Sequence, residues 1–122
     1  MKVSAVIEAA MTLIEDVKDD LQDAIDNCDT NNDAQARRED ACGDLEQIED
    51  PEITDDVGNR EMPFVLKASH GRTRKAQIAS AGKMLEAVVL FLNTDDSDLD
   101  AIDAGNACSG IVEQLGDIDI PG

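Results

Sequence analysis

An all-α protein is predicted: an antiparallel four-helix bundle with a long irregular connection between its second and third helices. Three observations predict it. Apolar residues recur at spacings of three and four through residues 3–28, 33–49, 71–92 and 97–115. Two clusters of cap- and turn-forming residues, 29–33 and 93–97, separate the first helix from the second and the third from the fourth. The stretch 50–68 holds Pro51, the pair Asp55-Asp56, Gly58 and Pro63, which interrupt a helix.

The first helix has the clearest pattern. Val3, Ile7, Ala10, Ile14, Val17, Leu21, Ala24 and Cys28 form a seam, widened to a stripe by Val6, Leu13 and Ile25. Glu15, Asp19, Asp20, Asp23 and Asp26 occupy the opposite face. The second helix has a thin seam of Ala34, Arg37 or Arg38, Ala41, Leu45 and Ile48, so it depends on its neighbours.

After the connection, the third helix uses Ile78, Ala81, Leu85, Val88 and Leu92, with Met84, Val89 and Phe91 beside them. Its half from 84 to 92 is apolar almost all round, as in a segment buried on several sides or covered by another chain. The fourth helix uses Ala101, Ala104, Cys108, Ile111 and Leu115 and is ended by Gly116 and the Pro121-Gly122 tail. Counted from the turn between them, Gly82 and Cys108 fall at one level, where small residues would let the last two helices approach closely. In an up-down bundle the two acidic turns share an end.

With 122 residues the chain makes one domain, 1–122, with 50–68 as its irregular part. Its net charge is −18, from 10 basic and 28 acidic residues. Residues 1–56 are net −14, residues 57–92 net +4 and residues 93–122 net −8. A surface this acidic repels phosphates, so no direct nucleic-acid binding is expected. The bulk charge is read first as solubility, including in a salty host, and second as an invitation to a basic partner. The only aromatics are Phe64 and Phe91, which leaves no stacking platform. No apolar run approaches a membrane span, and Met1-Lys2-Val3 leads straight into an acidic amphipathic pattern, unlike a signal peptide.

Catalytic and metal motifs are missing from the sequence. His70 is the lone histidine, and there is no G-x-S-x-G, P-loop, G-x-G-x-x-G, C-x-x-C or Glu-x-x-His pair. No enzyme, cofactor or metal is therefore expected. The turn Asp29-Thr30-Asn31-Asn32-Asp33 places oxygens like the first half of a calcium loop, but Ala34 stands at the glycine place and Asp40 at the glutamate place. Capping explains it more cheaply, and the same holds for Asp96, Asp98 and Asp100. Cys28, Cys42 and Cys108 are read as buried thiols of a reducing compartment. Cys42 lies roughly 13 Å along the second helix from the end that Cys28 occupies, beyond disulfide reach.

Two groups of residues are candidate sites. Lys67, His70, Arg72, Arg74 and Lys75 gather basic charge where the third helix opens. Positive charge opposes the dipole there, so an anion is expected: a phosphate, this chain's own acidic face, or the face of another copy. Phe64, Val65, Leu66, Met84, Val89 and Phe91 are the candidate interface.

Together these features predict a non-enzymatic structural or assembly protein that packs with other protein chains. The expected form is a homo-oligomer or larger assembly, made in the cytoplasm and with a virion as one destination. The alternative is an acidic nucleic-acid mimic that inhibits a DNA-binding, CRISPR or restriction enzyme.

Overall fold

Residues 2–27, 33–62, 73–94, 99–118 and 120 are described by the computed structural model. Among the described residues five helices pack together: α1 (Val3–Asp26), α2 (Asp33–Glu46), α3 (Asp55–Gly58), α4 (Arg74–Leu92) and α5 (Leu99–Asp117). Among the described residues there is no strand, only an isolated antiparallel bridge between Lys2 and Glu61. None of these helices is long and apolar enough to cross a membrane.

The stripe read from the sequence is the buried face of α1: Val3, Val6, Ile7, Ala10, Leu13, Ile14, Val17 and Leu21. Each such side chain, fully buried, contributes about 1.5–3 kcal/mol for a Val, Leu or Ile. Lys2 cannot cap this helix with a side-chain oxygen. The chain supplies another acceptor: Val3 N–H donates to the Arg60 carbonyl at 2.9 Å. The segment beyond α3 thus ties down the start of α1.

The connection is less irregular than expected. Thr54 caps α3, its hydroxyl accepting from Val57 N–H at 3.3 Å, and Val57 and Met62 are buried in the core. A Cβ on Gly58 would lie 3.2 Å from Ile53 Cδ1 and 3.3 Å from Ser4 Cβ, so a glycine lets α3 approach α1 closely.

The expected thin seam of α2 is partly replaced. Ala41 and Leu45 are buried and Arg38 and Ile48 half-buried, but Ala34 and Arg37 are exposed, and Gln35 and Cys42 take inner positions. Gln35 Nε2 donates to the Ile25 carbonyl at 3.1 Å, satisfying an acceptor in the last turn of α1. The α4 seam is as expected, with Ile78, Ala81, Leu85, Val88 and Leu92 buried. The helix begins later than 71, because Thr73 is extended and its hydroxyl accepts from Ala76 N–H at 3.1 Å. The α5 seam is also as expected, with Gly105 added, but Gly116 lies inside the helix, which runs on to Asp117.

Helix α1 packs against α2, α3 and α4, and α5 packs against α4 and α3. Gln35 meets Ile25 while Cys42 Sγ lies 3.9 Å from the Lys18 carbonyl, so α1 and α2 are antiparallel. Gly105 faces Leu92 and Asn93, and Ile78 shares a groove with Leu115, so α4 and α5 are antiparallel. Arg74 pairs with Asp20 near the end of α1, while the first turn of α5 shares a cleft with Glu52–Thr54, beside the start of α1. Helices α1 and α4 are therefore antiparallel, and α2 runs in the same direction as α4.

Two expectations are corrected by this arrangement. The end of α1 with the start of α2 lies at the opposite end from the end of α4 with the start of α5, not at one end with it. The close approach of α4 and α5 is at Gly105, where a Cβ would come within 3.2 Å of Asn93 Oδ1, whereas a Cβ on Gly82 would meet nothing within 4 Å.

Candidate functional site

Of the basic group, Arg74 and Lys75 are described; Lys67, His70 and Arg72 lie outside the described residues. Arg74 Nε donates to Asp20 Oδ2 of α1 at 2.5 Å. Arg74 thus faces a carboxylate of the chain's own acidic face. That carboxylate offsets the unfavourable position of a cation at a helix N-terminus. Lys75 is exposed.

Of the apolar group, Phe64, Val65 and Leu66 also lie outside the described residues. Met84 is buried in the chain's own core and offers no surface to a partner. Val89 and Phe91 are half-buried, packed against that core. Among the described residues, the large apolar side chains that do reach solvent are two others, Leu90 at 71% and Leu99 at 75% exposure. Leu90 was legible in principle. It lies off the α4 seam, on the stripe of Lys75, Ala79, Lys83 and Glu86.

That stripe borders a groove of about 610 Å³ between the first half of α4 and the end of α5. Its apolar lining includes Ile78, Val112, Leu115, Ile118 and Ile120, and its charged lining is Lys75, Lys83, Glu86 and Asp117. Gly82 leaves the wall open, since no side chain stands over it.

The electrostatics divide the molecule. Helix α1 carries Glu8, Glu15, Asp16, Asp19, Asp20, Asp23 and Asp26, all exposed, against the single base Lys18. Glu15 holds Lys18 at 2.9 Å, and that hydrogen bond raises the lysine's pKa. Helix α5 carries Asp100, Asp103, Glu113 and Asp117 and no base. Helix α4 has one acid, Glu86, against Arg74, Lys75 and Lys83. It is the long helix least hostile to an acidic neighbour.

Chemistry at the thiols is suppressed. Cys42 and Cys108 are free and buried. Burial pushes the Cys108 thiol up to about 11 and also raises that of Cys42. Thiolate, the reactive form, is scarce at neutral pH in both. Cys28 and residues 29–32 lie outside the described residues, as do Asp96 and Asp98, while Asp33 opens α2. Among the described residues no group of three or more His, Cys, Asp or Glu could hold a metal ion.

Compared with known protein families, curated proteins and solved structures, the chain matches none.

Proposed function

We propose that this chain is a non-enzymatic assembly subunit, a small acidic helical module that packs against other protein chains in a homo-oligomer or larger complex. The observation that carries the reading is the pair Leu90 and Leu99, 71% and 75% exposed on a chain of net charge −18. Large apolar side chains held in water gain free energy when a partner covers them. In this reading the four long helices close as a four-helix bundle. Asp44 of α2, Gln47 just beyond it, and Gln114 and Asp117 of α5 share a small cleft along the remaining edge. A reducing cytoplasm, with a virion as one destination, suits the free thiols.

The test is molar mass by light scattering after size exclusion, at low and high salt. An oligomer that tightens with salt is expected, because salt screens repulsion between acidic subunits while leaving an apolar contact intact. A monomer at both salts would remove self-assembly of the isolated chain.

A second reading, the nucleic-acid mimic, is favoured by one observation: the row of exposed carboxylates along α1. A mimic would use α1 against a basic channel and leave α4 uncovered. Inhibition of a restriction or CRISPR nuclease, lost on changing Asp16, Asp19 and Asp23 to Asn, would favour it.

A further inference from the structure

We propose that the outward face of α4 is a self-complementary docking surface, on which a second copy of this chain lays its own α4 antiparallel. This inference rests on the assembly reading and names its partner.

The argument starts from periodicity. Lys75, Ala79, Lys83, Glu86 and Leu90 are all exposed. At ~100° per residue they fall within an arc of about 80°, so they form one face. Lys83 and Glu86 make no ion pair among the described residues.

A two-fold axis across the helix midway between Lys83 and Glu86 sets each of these residues against its opposite in the second copy. Lys83 meets Glu86 and Glu86 meets Lys83, giving two ion pairs from one sequence. The same axis sets Leu90 against Ala79, since each is about 8 Å from the midpoint at ~1.5 Å per residue. Around Ala79 lies the groove of about 610 Å³ floored by Ile78 and Leu115. Gly82, with nothing within 4 Å of an added Cβ, leaves the opening. The exposed leucine of each copy thus faces the apolar groove of the other.

Charge selects this face over the rest. Two copies of net charge −18 repel through α1 and α5, whose exposed charges are overwhelmingly acidic. On α4 the only acid is Glu86, which the pairing uses. A single helix pair is a small interface, so the dimer is weak, grows with concentration and tightens as salt screens the bulk repulsion.

The experiment is sedimentation equilibrium over a concentration series, at low and high salt, on the full chain and four variants. Lys83→Glu and Glu86→Lys are each expected to weaken the dimer roughly tenfold, because each change enters the interface twice and creates like-charge pairs. The double variant Lys83→Glu/Glu86→Lys restores the opposite pairing and is expected to return most of the affinity. Leu90→Asp is expected to abolish dimerisation with helical content unchanged, as read by circular dichroism.

Self-association that ignores all four variants would overturn this face while leaving the assembly reading in place. A monomer throughout the series would overturn the second copy as occupant. The assembly reading would then stand only if mass analysis found the chain bound to a different protein. Loss in both single variants without recovery in the double would overturn the antiparallel register.

Discussion

Arg74, in the first turn of α4, donates to Asp20, near the end of α1, across 54 positions of chain. The pair joins the basic block of the sequence to its most acidic helix and marks which end of α1 the start of α4 meets. It sits at the surface, with Arg74 23% and Asp20 58% exposed in their side chains, so its energetic share is small.

Asp20→Asn is therefore expected to lower stability by less than about 1 kcal/mol. Urea denaturation at low and at 1 M salt checks this. The difference from the unaltered chain should shrink at high salt, since screening already removes most of an exposed pair's attraction. A loss several times larger would mean that the pair is far less solvated than its exposure indicates.

Core and face leucines should separate cleanly. Leu85 is fully buried and Leu90 is 71% exposed, five positions apart on one helix. Leu85→Ala is expected to cost about 2–5 kcal/mol, by lost transfer energy and the cavity left behind. Leu90→Ala, measured on dilute protein, should stay within about 0.5 kcal/mol of the original. The two denaturation curves give the comparison directly.

Glycines in α5 differ in what surrounds them. A Cβ on Gly110 would meet nothing within 4 Å, so Gly110→Ala should gain about 0.5–1 kcal/mol from helix propensity alone. A Cβ on Gly105 would lie 3.2 Å from Asn93 Oδ1, and Gly105→Ala must displace that side chain. Its gain should be smaller than that of Gly110→Ala. Thermal melting of both variants ranks them.

Alkaline pH should loosen the fold through Cys108. Its thiol goes from an ordinary 9.0 up to about 11 on burial, because burial disfavours the thiolate. Stability from the neutral thiol is complete below the unfolded value and is lost as pH rises through the folded one. The urea midpoint should fall between pH 9 and 11, and fall less in Cys108→Ala. An equal fall in both proteins would assign the effect to other groups, Lys18 and Cys42 among them.

Gln35 shows where sequence reading was blind. The spacing of three and four puts Ala34 on the thin seam of α2 and leaves Gln35 off it. The structure buries Gln35 because its amide finds the Ile25 carbonyl, an acceptor that belongs to the end of a different helix. Gln35→Leu keeps the volume but removes that donor, and a loss of about 1–3 kcal/mol is expected in denaturation. Nothing in the local pattern of α2 marks such a pairing. Leu90 differs: it lies off the α4 seam, so its outward position was legible from spacing alone.

Along one helix, the sequence by itself determined a great deal: helical periodicity, the buried stripes of α1, α4 and α5, the acidic exterior, and the separation of a basic block from two acidic ones. These follow from spacings of three and four residues and from side-chain charge, which are local properties of a chain at 3.6 residues per turn. Tertiary structure alone decided which ends meet. It made α2 and α4 run the same way, moved the close approach of α4 and α5 from Gly82 to Gly105, and spent Met84 on the core. The physical reason is that a helix stripe states how much apolar surface must be covered, not by which neighbour. That choice is made by the packing of residues far apart in sequence and unmarked by any spacing, to which the contacts of Val3 with Arg60 and of Arg74 with Asp20 belong.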